Sequence, residues 1–375
     1  MSNNTFGRLF RLTTYGESHG PGLGGVVDGC PAGLPLCEAD LQAALDMRRP
    51  GAGGRGGRAG TARYEEDRVS ILSGVFEGKS TGTPIAFHVS NTDQHPDDYA
   101  ALAPLLRPGH ADLGFLVKYG RRDHRGGGRS SGRESLSRVA GGAIAEKFLE
   151  SAKVRVHAYT LEVGGFEAEL VDIAGAHDRA WFSPDPAAVA KWDALALSAK
   201  NEKDSLGGLV RVEIYGLPAG LGEPVFDKLD ARLAYAMMGV GAIKGVEIGR
   251  GFDSAHIWGS DNNDPILPQG AASDDIVQAT GALPSGAGFA FGANNAGGVL
   301  GGISTGAPVV VTCAVKPIAS IGRQQRSIDC KGEAALLSVG GRHDISAIPR
   351  IVPVLRAMAA LTAADFMLLQ RCAVV

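Results

Sequence analysis

Paired cysteines and long apolar runs are both scarce in this chain of 375 residues. Its five cysteines are an odd number and form no C-x-x-C pair, which argues against a disulfide framework and against a structural zinc site. Reduced thiols are usual in the cytosol, so we expect a cytoplasmic protein with no metal site. No window approaches the roughly 18 apolar residues of a membrane span, and the start MSNNTFGRLFRL is not a secretory signal.

Net charge is also low. The formal net charge of −3 gives no overall attraction to nucleic acid or to a membrane. Positive charge is instead concentrated in two clusters, Arg48, Arg49, Arg55, Arg58 and Arg63, and Arg121, Arg122, Arg125, Arg129, Arg133 and Arg138. The stretch RRPGAGGRGGR resembles an RGG-type RNA-binding segment, but it is short, unrepeated and free of aromatic residues. A mobile loop that closes over an anionic small molecule is the favoured interpretation, and a solvated loop is the alternative.

Glycine, by contrast, is abundant. The 54 glycines are about twice the average usage and are mixed with apolar residues, which indicates tight turns and close backbone approaches rather than disorder. The stretch GESHG sets Glu17, Ser18 and His19 between two glycines, just before an apolar run. Alone it is typical of a polar turn between strands, so its interpretation depends on the rest of the chain.

Helical and strand patterns are mixed without strict βαβ alternation. Helical spacing occurs in EADLQAALDMRR, in DKLDARLAYAMM and from Arg350 to about Arg371, and strand patterns occur in RVSILSG, IAFHVS, VRVHAYTLEVGG, GLVRVEIYGLP and APVVVTCAVKP. No G-x-G-x-x-G follows a strand and opens a helix. We therefore expect an α+β layered fold rather than a Rossmann sheet, with residues 1–375 in a single domain and residues 166–205 as a surface excursion.

The stretch RGGGRSSGRESLSRVAGGAIAEKFL predicts a helix N-terminus rich in glycine, serine and arginine. Ser131 and Glu134 have the spacing of a capping box, and apolar residues follow at helical spacing. Free amide hydrogens at a helix start bind anions, and arginine binds phosphate with two hydrogen bonds. A capped surface helix with solvated arginines is the alternative.

Several other glycine-flanked stretches offer charged or titratable groups. RPGHAD holds Arg107 and His110, GGRHDISAIPR holds Arg342 and Asp344, and NNAGGVLGGISTG precedes a strand that ends at Lys316-Pro317. A lone histidine is usually structural, so none of these stretches is decisive by itself. Together they suggest a single large pocket for anionic ligands.

These stretches are similar to the signatures of one family. GESHGPGLGGVVDGCPAG, GRSSGRESLSRVAGGAI and GRHDISAIPRIVPV resemble three signatures of the chorismate synthases, and RPGHAD, DSLGG, GEPVFDKLDA, KGVEIG and NNAGGVLGGIS follow in the family's order. The resemblance covers essentially the whole chain. It implies a β-α-β sandwich, in which helices are layered between two antiparallel sheets, and a homotetramer.

The resemblance also implies an activity. Chorismate synthases convert 5-enolpyruvylshikimate 3-phosphate to chorismate by 1,4-anti elimination of phosphate, and they require reduced FMN although no net redox change occurs. A substrate with one phosphate and two carboxylates, together with the FMN phosphate, accounts for clustered arginines in a mildly acidic protein. Pooled positive charge would also stabilise an anionic reduced flavin.

Roles carry over where the motifs match. His19 resembles the acid that protonates the departing phosphate, with Ser18 beside it, and His110 resembles the histidine that protonates the reduced flavin. Asp344 resembles the base that works through flavin N5, and Ser131 joins the catalytic set. The flavin contacts implied are Arg129, Ser130, Ser131, Asp261, Asn262, Gly301, Lys316, Pro317, Ile318, Ala319, Ser320 and Arg342. The substrate contacts implied are Arg48, Arg49, Arg55, Arg58, Arg107 and Arg133.

Some positions depart from the family pattern. Gly132 and Ser135 are mild changes, Ile345 stands where proline is usual, and Arg356 stands where glutamate is usual. His95-Pro96 replaces a common Arg-Ser. An FMN-dependent oxidoreductase and a non-catalytic phosphate- or RNA-binding protein remain as alternatives. Some members reduce their own FMN with NADPH, but this chain has about the length of the synthase and no clear dinucleotide fingerprint, so we expect a monofunctional enzyme with an external flavin reductant.

Overall fold

The computed structural model describes residues 4–49, 67–91, 102–271, 276–339 and 344–373. Within these ranges the chain forms seven α-helices: α1 Glu38–Arg48, α2 Asp112–Tyr119, α3 Ser135–Ser151, α4 Pro186–Asn201, α5 Leu229–Met238, α6 Gly259–Asn262 and α7 Ile348–Gln370. The helices expected from EADLQAALDMRR, from DKLDARLAYAMM and from the C-terminal residues correspond to α1, α5 and α7.

The described residues also form nineteen strands, most of them short. They are β1 Thr5–Phe6, β2 Arg11–Gly16, β3 Gly22–Asp28, β4 Val69–Ile71, β5 Val75–Phe76, β6 Lys79–Ser80, β7 Ile85–Ser90, β8 Arg155–Val163, β9 Phe166–Glu167, β10 Gly208–Tyr215, β11 Ile243–Ile248, β12 Ile266–Pro268, β13 Val277–Gln278, β14 Phe289–Phe291, β15 Val299–Leu300, β16 Ile303–Ser304, β17 Val309–Val315, β18 Gln325–Ile328 and β19 Ala334–Leu337. The five strands expected from the sequence correspond to β4, β7, β8, β10 and β17.

Two five-stranded sheets enclose the long helices. One has the order β1-β2-β3-β7-β4 and the other β11-β17-β10-β8-β9, and all their strand pairs are antiparallel. Helix α3 contacts β2 and β3 of the first sheet, helix α7 contacts β8 and β10 of the second, and the two helices pack on each other. The expected α+β sandwich, with helices between two antiparallel sheets, is confirmed.

Helix α7 corrects the expectation that no segment is apolar enough to span a membrane. Its 23 residues include an 18-residue window with a mean hydropathy of 1.6, but 83% of that window is buried inside the protein. A helix that is apolar on all sides fits the core of a large domain. Its carboxylate at Asp365 is satisfied by the backbone N–H groups of Arg8, Leu9 and Phe10 at 2.7–2.9 Å, which joins the C-terminal helix to the N-terminal strands.

The segment 166–205 was expected to be a surface excursion, and the structure corrects this. Trp181 and Trp192 are fully buried, pack edge to face with ring centroids 6.2 Å apart, and belong to the main hydrophobic core. Their indole N–H groups donate to Asp193 at 3.0 Å and to the carbonyl of Phe166 at 2.9 Å. The polar composition of the segment as a whole hid these two anchors: Trp192 follows the exposed Lys191, and Trp181 precedes the buried Phe182.

Helices α3 and α7 approach most closely at a glycine. A Cβ placed on Gly142 would lie 2.3 Å from Cβ and 2.6 Å from Cα of Ala357. Both positions are deeply buried, so no flexible side chain can move aside. The separation of the two central helices therefore depends on the absence of a side chain at residue 142.

This close approach gives a stability prediction with an internal control. Gly142→Ala should lower the free energy of unfolding by about 1–3 kcal/mol, because the added methyl group forces α3 and α7 apart. Gly114→Ala, on an exposed face of α2 with nothing near the added Cβ, should raise it by up to about 1 kcal/mol. Urea unfolding of the two variants measures both effects. A destabilised Gly114→Ala or a neutral Gly142→Ala would contradict the packing described.

Candidate active site

His19 lies in the loop that joins β2 to β3. Its Nδ1 is 3.1 Å from Oγ of Ser18, and the hydroxyl of Ser18 also reaches the carbonyl of Arg125 at 3.4 Å. The side chain of Asn91 donates to the backbone carbonyls of Glu17 at 3.1 Å and Gly20 at 2.8 Å. These bonds fix the loop on both sides of the imidazole, so the ring has a defined direction.

His110 lies just before α2 and is held by a buried carboxylate. Its Nδ1 is 3.0 Å from Oδ1 of Asp112, and Arg107 donates to the same carboxylate from Nε at 2.8 Å and Nη2 at 2.9 Å. A second guanidinium, that of Arg122, is 3.4 Å from Oδ1. Burial raises the pKa of Asp112, but the hydrogen bonds from Arg107 and His110 outweigh it, so the pKa of Asp112 lies well below its ordinary value.

A run of three glycines brings the two histidines to one place. A Cβ on Gly126 would be 2.8 Å from Cε1 of His19, and a Cβ on Gly127 would be 2.9 Å from Cε1 of His110. Residues 126, 127 and 128 have φ angles of +74°, +94° and +55°, which favour glycine. Since consecutive Cα atoms are about 3.8 Å apart, both imidazoles lie against neighbouring residues of one loop.

The two serines of the same loop continue it toward helix α3. Ser130 donates from Oγ to the carbonyl of Gly127 at 2.7 Å, and Oγ of Ser131 accepts from the backbone N–H of Arg133 at 3.3 Å. The expected capping box is therefore only half formed. The carboxylate of Glu134 instead accepts from Oγ1 of Thr14 at 3.0 Å and from Nε of Arg138 at 2.9 Å.

Arg129, expected to contact the flavin, is engaged with the protein itself. Its guanidinium donates to the carbonyl of Gly16 at 3.0 Å and to Oγ1 of Thr14 at 2.6 Å. The side chain is 25% exposed, and its expected contact with the flavin stays a prediction. Arg129 fixes the glycine loop to the strand that leads to His19.

Buried carboxylates also hold two of the arginines that were expected to bind substrate. Arg48 is only 1% exposed and donates to Oγ of Ser135 and to the carbonyl of Gly132, both at 3.0 Å, and Arg107 is bound to Asp112 as described. Each guanidinium is buried and has protein partners, and the expected contacts of both arginines with substrate stay predictions. The sequence shows the charge of an arginine but does not show its internal partner.

The remaining arginines differ in their exposure. Arg133 is 15% exposed, donates to Oδ1 of Asn91 at 2.7 Å and pairs with Asp67 at 2.9 Å. Arg49 is 26% exposed and lies 3.4 Å from Asp46. Arg55, Arg58 and Arg342 lie outside the described residues.

The segment 316–320 packs on the His110 loop. Nζ of Lys316 donates to the carbonyl of Gly109 at 2.7 Å, and a Cβ on Gly109 would be 3.2 Å from Ala319. Burial and the charge of Lys244 lower the pKa of Lys316. The carbonyl of Ile318 accepts a hydrogen bond from Oγ of Ser205 at 2.7 Å. The next residue, Leu206, donates its backbone N–H to the carbonyl of Ile345 at 2.9 Å. Pro317 and Ser320 belong to this segment.

Asp344 lies four residues before α7. Its Oδ2 is 2.8 Å from Nε of Arg350, and its side chain is 14% exposed. Asp344 is connected to the His110 loop by hydrogen bonds that run through Ile345, the loop around Ser205 and the segment 316–320. The structure therefore links Asp344 to this cluster by a chain of backbone contacts.

Asp261, Asn262 and Gly301 lie in other parts of the fold. The backbone carbonyls of Asp261 and Asn262 accept from the side chain of Asn295 at 3.2 and 3.3 Å, and Gly301 lies in the turn between β15 and β16 with a φ of +61°. Among the described residues, no hydrogen bond joins these three to the histidine loops.

Sequence reasoning missed three residues that organise the site, Asp67, Asn91 and Asp112. Asp112 follows His110 by two residues in RPGHAD, so its proximity to the histidine was a usable signal. Asp67 and Asn91 are distant in sequence from Arg133, and only the fold brings them to it.

Comparison with known proteins agrees with this arrangement. The chorismate synthase family model matches residues 10–368. A chorismate synthase of Oleidesulfovibrio alaskensis is 59% identical over 371 residues, which cover 99% of this chain and 98% of the relative, and one of Nitratidesulfovibrio vulgaris is 60% identical over 371 residues, which cover 99% of each. A crystal structure of chorismate synthase is similar with a TM-score of 0.74 at 31% identity, over 97% of this chain and 93% of that chain. Because the match spans nearly the whole chain and includes both histidine loops, the chain belongs to the chorismate synthase family, lyases of the shikimate pathway.

Proposed function

We propose that this enzyme converts 5-enolpyruvylshikimate 3-phosphate to chorismate by 1,4-anti elimination of phosphate, with reduced FMN required and no net redox change. The observation that carries the proposal is the approach of His19 and His110 to adjacent glycines of one loop. Elimination of phosphate needs a group that gives a proton to the departing oxygen and groups that manage the proton lost from the ring. Imidazole suits such proton transfers near neutral pH.

The described residues fit a flavin. Gly126 and Gly127 have no side chains and let the imidazoles of His19 and His110 pack against the backbone, so that both rings can border a bound flavin. Lys316 and Lys244 repel each other, which contributes to the lowered pKa of Lys316, and a bound phosphate or an anionic ring would relieve that repulsion. When bound, reduced FMN supplies an electron-rich ring system to the reaction. Arg129, Ser130, Ser131 and the segment 316–320 are the proposed contacts near the histidines, and Asp261, Asn262 and Gly301 are proposed contacts from other parts of the fold. Arg342 is also a proposed flavin contact and lies outside the described residues.

Each catalytic residue has a proposed role set by its surroundings. His19 donates a proton to the departing phosphate, and the hydroxyl of Ser18 orients its ring through Nδ1. The ionised carboxylate of Asp112 accepts from Nδ1 of His110, which leaves Nε2, on the side of the glycine loop, as the nitrogen available for proton exchange. Asp344 is the proposed base, and Nε of Arg350, 2.8 Å from Oδ2, fixes the position of its carboxylate.

Substrate anions need cations that are not buried away from the site. Of the described arginines in the proposed substrate set, Arg49 and Arg133 keep some exposure, whereas Arg48 and Arg107 are buried. Arg55 and Arg58, outside the described residues, complete the set. An arginine that already pairs with a carboxylate contributes less attraction to a second anion, so Asp67 tunes how strongly Arg133 binds.

We further propose a cytoplasmic homotetramer with a single domain over residues 1–375. The reductant of FMN is external, because no G-x-G-x-x-G in the sequence opens a helix after a strand and NADPH therefore lacks an evident site. The enzyme needs reduced flavin but is not itself a flavin reductase in this proposal.

The two histidines give the first prediction for the proposed reaction. His19→Ala and His110→Ala should each lower kcat by at least about 10²-fold, the usual effect of losing a general acid or base. Chorismate formation is measured anaerobically with chemically reduced FMN. His256→Ala, at an exposed histidine of a short helical turn, is the matched control and should keep full turnover. Near-normal turnover of either site variant would remove that residue from the mechanism.

Asp112 gives a prediction about pH. Its folded pKa lies below the ordinary value of about 3.9, so its charge contributes stability that is complete above about pH 5 and is lost as pH falls through the folded pKa. Asp112→Asn leaves two buried guanidiniums unpaired and should cost about 3 kcal/mol at pH 7. The difference from the wild type should shrink below about pH 4, as urea unfolding at pH 7 and pH 3 would measure.

Asp253→Asn, at an exposed carboxylate, is the control and should change stability by less than about 0.5 kcal/mol at both pH values. A cost for Asp112→Asn that is the same at pH 7 and pH 3 would contradict the assigned role of the Asp112 charge.

A further inference from the structure

A cavity of about 700 Å³ lies between the C-terminal half of α3, strand β8 and the first turns of α7. Leu149, Val156, Phe182 and Val352 form apolar walls, and Glu146, His157 and Arg356 add polar groups. This size and this mixture are typical of small-molecule sites. None of the residues assigned to the reaction lines it.

The cavity is separate from the histidine loops. Ser135 begins α3 beside Gly132 and Arg133, whereas Glu146 lies about 16 Å further along the helix axis at 1.5 Å per residue. Between them, α3 and α7 are in contact at Gly142 and Ala357, where not even a methyl group fits. A ligand in this cavity therefore does not share space with the reaction site.

Arg356 is the polar centre of the cavity. Its Nη2 donates to Oε2 of Glu146 at 2.7 Å, but its Nε is buried and has no hydrogen-bond partner among the described residues. The other charge in the buried stretch of α7, Asp365, has three backbone donors. Nε itself is closed off from the cavity, but the Arg356 side chain as a whole is 31% exposed, so a ligand acceptor would meet the accessible part of this side chain.

The charges around the cavity favour an anion. Lys153 and Arg155 lie at its exposed rim and have no ion-pair partner in the part of the chain that the structure describes. Burial and the charges of Arg356 and Arg155 lower the pKa of His157, as expected for a positive potential in the cavity. The carboxylate of Glu146 is already paired, and Glu150 is largely exposed.

We propose that this cavity is a second ligand site that binds a small organic acid, with its acid group at the accessible part of Arg356 and the cationic rim and its apolar or aromatic body against Leu149, Val156 and Phe182. The proposal rests on the cavity and its contacts and does not depend on the proposed reaction.

The experiment follows binding of 4-fluorobenzoate to the full chain by fluorine NMR, with neutral 4-fluorobenzamide as the matched probe. We expect saturable binding of the acid and at least about 5-fold weaker binding of the amide. Ala174→Trp places a large side chain at the exposed mouth, where folding is not at risk, and should weaken acid binding at least about 10-fold. Thermal unfolding of Ala174→Trp should match that of the wild type.

A second variant tests the polar centre without leaving a buried charge alone. The double variant Glu146→Gln with Arg356→Gln keeps two hydrogen-bonding groups and removes both charges, and it should weaken 4-fluorobenzoate binding at least about 5-fold while the amide is unaffected. Acid binding that is unchanged in Ala174→Trp would assign the probe to another site and overturn the proposal. Absence of saturable binding to the wild type, or equal binding of acid and amide, would also overturn it.

Discussion

The absence of side chains at Gly126 and Gly127 is the constraint on which the proposed site depends. The two imidazoles come from loops almost a hundred residues apart in sequence, and both occupy space that a Cβ on this loop would fill. The positive φ angles of the same residues make the loop unfavourable for any other residue type. Because Arg129 and Ser130 tie the loop to β2 and to itself, the glycines hold a fixed position between the histidines.

Two buried carboxylates arrange the cations around this loop. Asp112 gathers Arg107, Arg122 and His110, and Asp67 lies between Arg48 and Arg133. Side chains that share one carboxylate are held in place before a ligand binds. Less conformational entropy is then lost when the ligand binds. The cost is that buried, paired arginines are less available to substrate anions, so the more exposed cations are left for that task.

The sequence predicted the main strands, four of the helices and the layered fold, because these depend on local spacing of apolar residues. It also identified His19 and His110 within glycine-rich loops. It could not show that Arg48, Arg107 and Arg129 have internal partners, since Gly132, Asp112 and Thr14 meet them through the fold. It also misjudged 166–205, where Trp181 and Trp192 enter the core from a segment that is polar as a whole, and it missed the apolar character of α7.

We propose that the glycine loop at residues 126–128 places His19 and His110 in one active site. This site eliminates phosphate from the substrate without consuming the reduced flavin. The most direct measurement is the number of chorismate molecules formed per FMN by the full chain, anaerobically, with 5-enolpyruvylshikimate 3-phosphate and a limiting amount of chemically reduced FMN. We expect many chorismate molecules per flavin, and no chorismate in air with FMN and NADPH as the sole reductant. Chorismate limited to one molecule per reduced flavin would contradict the claim.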